Sequence, residues 1–104
     1  MPHIAIDYDK EKLRDFCRRW KVREFSLFGS VVREDFGPES DVDVLVTFEN
    51  GAPWTLSNWL AMQRELEALF QRRVDLVERS AVEQSHNRFR KRAILTSAVM
   101  LDVA

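Results

Sequence analysis

Leu27-Phe28-Gly29-Ser30-Val31-Val32-Arg33-Glu34-Asp35-Phe36-Gly37-Pro38-Glu39-Ser40-Asp41-Val42-Asp43-Val44-Leu45-Val46 is the stretch around which the chain is organised. An apolar run ends in Gly-Ser, a polar turn follows, and a second apolar run opens with two alternating carboxylates. The strand period of two puts Asp41 and Asp43 on one face and Val42 on the other. Two carboxylates side by side repel by about 4 kcal/mol at ~4 Å with an effective dielectric near 20, which invites a hard divalent cation between them. Gly29-Ser30 falls at the end of the preceding strand. A glycine there lets backbone approach a phosphate, and the serine adds a hydroxyl and an N–H to bind it. A cation-holding pair beside a phosphate cradle is the minimum equipment for nucleotide chemistry.

Outward from this stretch, the pattern alternates helices and strands. Leu13, Phe16, Cys17 and Trp20 recur at i, i+3, i+4 and i+7, one face of a helix from about Asp9 to Trp20, with Asp9 as N-cap. Val22 to Phe28 reads as a strand closed by Gly29, and Ser30 to Asp35 as a short helix. The second strand runs from about Asp41 to Phe48, with Val42, Val44, Val46 and Phe48 on its packed face and Asp41, Asp43 and Leu45 opposite. Thr55 caps a helix reaching about Arg72, striped by Trp59, Met62, Leu66, Leu69 and Phe70. Trp54 and Trp59 read as core or partner contacts. Arg73 to Val77 is a third strand with Asp75 and Val77 on one face. Ser80 to Ser85 gives a helical turn, and a final helix is expected from about Asn87 to Val103. Its basic start (His86, Arg88, Arg90, Lys91, Arg92) works against the helix dipole.

The fold expected from this order is α/β (α+β): a small mixed β-sheet of three or more strands with helices packed against it. The 104 residues read as one domain, 1–104, with a single modest core. A net charge of −1 gives no global basic field, which disfavours a nucleic-acid partner. The lone Cys17 excludes an internal disulfide, and no apolar run approaches a membrane span, so a cytoplasmic protein is expected. Apolar surface on so small a domain points to a partner protein or a homo-oligomer.

Gly-Ser, ten residues, then Asp-x-Asp resembles the signature of the DNA polymerase beta-like nucleotidyltransferases. The short chain is similar to their minimal (MNT) branch, often antitoxins paired with HEPN toxins. The resemblance implies the polymerase beta-like fold and an Mg²⁺-dependent enzyme that uses ATP as substrate and binds one or two ions. It implies Asp41, Asp43 and Asp75 as metal-binding and catalytic acids, Asp75 coming from a neighbouring strand. Gly29, Ser30 and Arg33 would bind the nucleotide, with Arg33 neutralising the departing pyrophosphate. The partner implied is a HEPN-type toxin, silenced by transfer of AMP (AMPylation) to a tyrosine.

Minimal members often read Gly-Ser-Arg-Ala-Arg-Gly where this chain has Gly29-Ser30-Val31-Val32-Arg33-Glu34. Fewer positive charges beside the triphosphate, with Glu34 added, would weaken nucleotide binding. That leaves a second reading, a non-catalytic antitoxin or interaction module on the same fold that neutralises its partner by binding. A receiver-type phosphoacceptor would need an adjacent acidic pair after the first strand and more strand–helix units than this chain holds.

Overall fold

The computed structural model describes residues 6–32, 36, 37 and 39–103. Arg33, Glu34 and Asp35, on which part of the expected phosphate cradle rests, lie outside the described residues. The chain begins with helix α1, Lys10–Arg19, where the Asp9 carboxylate accepts from the backbone N–H of Glu11 (3.0 Å) and Lys12 (3.2 Å). That cap satisfies donors the first turn would otherwise leave open. Leu13, Phe16 and Cys17 form its buried stripe. Lys21 takes a left-handed conformation (φ 55°) and turns the chain into strand β1, Val22–Phe28.

A short 3₁₀ helix, Gly29–Val32, follows β1 without a gap. Strand β2, Val42–Phe48, then runs back antiparallel to β1, pairing Leu27 with Val44 and Phe28 with Asp43. Helix α2, Leu56–Phe70, is opened by a reciprocal capping box: Thr55 Oγ1 accepts from Asn58 N, and Asn58 Oδ1 accepts from Thr55 N. Gln71 ends it in the left-handed conformation (φ 54°). Strand β3, Val74–Glu78, lies parallel to β2, as a crossover through a helix permits. Helices α3, Arg79–Glu83, and α4, Arg88–Ser97, complete the helical part.

The sequence pattern misplaces the chain's end. The helix expected to reach Val103 stops at Ser97, and Val99–Leu101 is a fourth strand, β4, antiparallel to β1. Ala98 leaves the helix with φ −64° and ψ 133°. Leu101 fits the helical spacing of Ile94 and Ala98, yet it is buried through the sheet, paired with Phe25. A three-residue strand supplies too little alternation to compete with a helical period in the sequence. The sheet order is β3-β2-β1-β4.

Alternation along the strands builds two cores. Phe25, Leu27, Val42, Val44, Val46, Val74, Leu76 and Leu101 face α1 and α2, where Leu13, Phe16, Met62, Leu66 and Phe70 close over them. On the other face Phe28 and Leu45 meet Val82 of α3 and Ile94 of α4, with Val77, Leu95 and Ala98 around them. Trp54 and Trp59 pack edge-on against Phe48, and Trp54 against Trp20, at the margin of the main core. The second core is small. It leaves one end of its sheet face to polar side chains, and the candidate site lies there.

Candidate functional site

Register decides which carboxylates meet. β2 and β3 are parallel, and Asp43 stands opposite Asp75 as Val42 does opposite Val74. Val42 and Val74 belong to the main core, so Asp43 and Asp75 project from the opposite face, alongside Leu45 and Val77. Asp43 is half-buried, and Asp75 is exposed on the edge strand. Asp41 is exposed and immediately precedes β2.

Gly29 lies beneath Asp43. Its φ of +73° is in the left-handed region, and a Cβ built on it would run into the Asp43 carboxylate. The glycine therefore has two independent reasons to lack a side chain: backbone conformation and the space taken by a candidate site acid. Phe28 pairs with Asp43 across the β1–β2 ladder, which sets Gly29 and Asp43 side by side. Ser30, half-buried, is the next residue of the 3₁₀ turn. The structure thus brings Gly29 against Asp43 and Asp43 opposite Asp75, with Ser30 next in the turn and Asp41 just before β2. Arg33 falls outside the described residues.

Val31 is fully buried within the main core. A side chain there fills packing space between sheet and helices and does not face the acids. The sequence comparison at this position therefore says little about the charge around a triphosphate.

Helix α2 fixes β3 from outside the ladder. Gln63 Nε2 donates to the Val74 carbonyl (3.1 Å), and Glu67 Oε2 accepts from the Val74 N–H (3.2 Å). Gln63 and Glu67 are one helical turn apart, so both reach the same residue of the edge strand. They satisfy backbone groups that an edge would expose, and they anchor the residue next to Asp75. Sequence reasoning missed them, because an i, i+4 polar pair reads as an ordinary solvated helix face.

Among the described residues no three His, Cys, Asp or Glu side chains are grouped so as to hold a metal ion by themselves. The donors present still suit Mg²⁺, which favours one or two carboxylate oxygens plus substrate phosphates over an all-protein cage. Asp41 also borders an open cleft of about 640 Å³ with Ser40, Arg72 and Arg73. A wider cavity of about 990 Å³ opens at the other end of β2 and β3, between Thr47, Phe48, Trp59, Glu78 and Arg79. Size does not choose between the two. The in-register pair Asp43 and Asp75, with Gly29 against Asp43, lies at the first end.

Comparison with known proteins agrees with this fold. Residues 10–101 match the Nucleotidyltransferase domain family. A relative from Thermococcus cleftensis, named protein adenylyltransferase MntA, is 43% identical over 74 residues, 71% of this chain and 70% of the relative. A solved structure described as a candidate minimal nucleotidyltransferase superposes with a TM-score of 0.67 at 32% identity, covering 88% of each chain. A toxin–antitoxin structure with AMP-PNP shares the fold, with a TM-score of 0.59 at 20% identity over 88% of this chain and 71% of the other. The four-stranded mixed sheet, the acids at its end and these likenesses lead to one assignment: the chain belongs to the nucleotidyltransferase domain family, in its minimal form, and is an enzyme of that class.

Proposed function

We propose that this protein transfers AMP from Mg·ATP to a hydroxyl of a protein partner, a HEPN-type toxin, and that this modification silences the partner. The observation that carries the reading is the in-register pair Asp43 and Asp75 on one sheet face, with Asp43 seated over the left-handed Gly29. The names of the relatives, a protein adenylyltransferase and a toxin–antitoxin pair with an ATP analogue, support the choice of nucleotide and acceptor class.

In this reading Asp41 and Asp43 hold the cation, with Asp75 as third carboxylate. When bound, Mg²⁺ neutralises triphosphate charge and lowers the pKa of the attacking hydroxyl. Gly29 and Ser30 offer backbone N–H and hydroxyl to the outer phosphates, and Arg33 offsets the charge of the leaving group. The acceptor oxygen forms a bond to the α-phosphorus as the bridge to pyrophosphate breaks, and Asp75 takes the acceptor proton. Such transfer needs positioning and charge neutralisation more than covalent help, which suits a site built on strands.

The test is calorimetric titration of Mg·ATP into the wild type and an Asp41→Ala, Asp43→Ala double variant, followed by mass spectrometry of a co-encoded toxin incubated with both. Metal-dependent binding and a mass gain of one AMP on the toxin, both lost in the folded variant, are expected. Toxin neutralised without any mass gain would replace this reading with the binding-only module.

A further inference from the structure

We propose that Arg72 is a positioning residue for Asp41, acting through the turn that precedes β2; this rests on the reading of Asp41 as a site acid. Asp41 differs from Asp43 in how it is held. Asp43 sits inside the sheet with a ladder partner on either side, Phe28 and Asp75. Asp41 precedes β2, so its place must be set by the peptides on either side of it.

Both of those peptides are held from one dipeptide at the end of α2. Arg72 Nη1 donates to the Ser40 carbonyl (3.1 Å), which belongs to the peptide joining Ser40 to Asp41. The Arg73 carbonyl accepts from Val42 N (2.8 Å), which belongs to the peptide joining Asp41 to Val42. Each peptide is planar, so fixing one polar atom in each restricts Asp41 on both sides. Arg72 Nη1 also donates to Gly37 O (2.7 Å), and the guanidinium carbon lies 4.3 Å from the centroid of the Phe36 ring. The turn closes on itself, with Ser40 N donating to Gly37 O (3.1 Å) and Gly37 N to Ser40 Oγ (2.9 Å). A planar cation that spans two carbonyls and stacks on an aromatic ring is a task for arginine, and lysine reproduces it only in part. The left-handed Gln71 directs the chain out of α2 just before this contact.

The experiment uses the full chain with Mg²⁺ and a non-hydrolysable ATP analogue. It reads the half-saturating Mg²⁺ concentration by calorimetry and the exchange rates of the Ser40 and Val42 amides by NMR. Arg72→Ala should raise both by about tenfold, the loss of one charge-assisted hydrogen bond, and leave the Val44 amide unchanged. Arg72→Lys should recover part of each. Phe36→Leu keeps the charge and should move both in the same direction by less, whereas a direct phosphate contact by Arg72 would leave the Phe36→Leu amides as in the wild type. Arg73→Ala removes the same charge one residue along and should leave the Ser40 and Val42 amides as in the wild type. Unchanged amides and Mg²⁺ midpoint in Arg72→Ala, or an equal loss of amide protection in Arg73→Ala, would overturn the assignment. If the wild type takes up no nucleotide at any Mg²⁺ concentration, the functional reading of the acids fails. The amide rates then decide alone, and protection of Ser40 and Val42 persisting in Arg72→Ala overturns the clamp.

Discussion

Replacing Gly29 with alanine tests whether the glycine is there for the backbone, for Asp43, or for both. The left-handed φ of +73° costs an alanine about 1–2 kcal/mol. The new methyl would also enter the space of the Asp43 carboxylate, its nearest neighbour there. The carboxylate must rotate away or β2 must shift, and either displaces the acid from the position opposite Asp75. Gly51 supplies the control: its φ is +80°, yet a Cβ there meets nothing within 4 Å. Gly51→Ala should therefore lose only the backbone share, a fall in Tm of about 4–16 °C for a domain of this size. Gly29→Ala should fall further, and its metal-dependent binding of an ATP analogue should weaken by at least about tenfold, or ~1.4 kcal/mol. Adding Asp43→Ala to Gly29→Ala should return part of the lost stability without returning binding, the signature of two side chains that compete for one space. The assays are thermal melting by circular dichroism and calorimetric titration. Equal melting of Gly29→Ala and Gly51→Ala, or wild-type nucleotide binding in Gly29→Ala, would refute the contact.

Other expected outcomes follow from individual residues. Val31→Arg would bury a cation in the main core, and chemical denaturation should show a loss of more than about 3 kcal/mol or no folded protein; a folded, stable variant would return this position to the site. Burial pushes the Cys17 thiol up to about 12 and leaves it 2% exposed, so iodoacetamide at neutral pH should label it only in denaturant. Burial alone would raise the Glu65 carboxyl, but hydrogen bonds from Arg19 and Trp20 outweigh it and hold the group below its usual value of 4.5. A depressed folded-state value means the contribution is present above the unfolded value and lost as pH falls through the folded one. Melting temperatures of wild type and Glu65→Gln should therefore differ at pH 6 and converge toward pH 3, the difference at pH 6 being under about 1 kcal/mol for a contact this open to solvent.

What could be read in the sequence, and what could not, follows from the range of each signal. α1, β1, β2 and α2 carry long apolar periods and local caps such as Asp9 and Thr55, and they lie within a residue or two of the expected bounds. The alternation of Val42 and Val44 about Asp43 places that acid away from the main core, and the same period in Val74-Asp75-Leu76 places Asp75 there too. Neither could supply the register that sets Asp43 opposite Asp75, because register depends on how β3 returns beside β2. β4 was hidden because Ile94, Ala98 and Leu101 satisfy a helical period although only the first two lie at the helix. Val31 was compared as a letter in a motif, and only packing shows that its side chain turns away from the acids. Gln63, Glu67 and Arg72 act through backbone carbonyls and amides, and no pattern of side chains announces such contacts.

The placement of these contacts gives α2 a role beyond covering the sheet. Gln63 and Glu67 hold Val74, the residue before Asp75, and Arg72 holds the turn before Asp41. Helix α2 and the residues just after it thus touch the backbone beside two of the three acids, while Asp43 is fixed by the ladder and by Gly29. The main core under α2, with Met62, Leu66 and Phe70 buried against the strands, is then the frame against which the acids are aligned. Loosening that core should reach the site through backbone and not through any side chain that touches a nucleotide. Leu66→Ala, a cavity change of about 2–5 kcal/mol if the chain remains folded, should therefore weaken metal-dependent nucleotide binding. Ile94→Ala, in the smaller core on the acids' own face, should weaken it less for the same loss of Tm. The opposite ranking, at matched stability, would mean that the acids are aligned from the α3–α4 side and that α2 only buries the sheet.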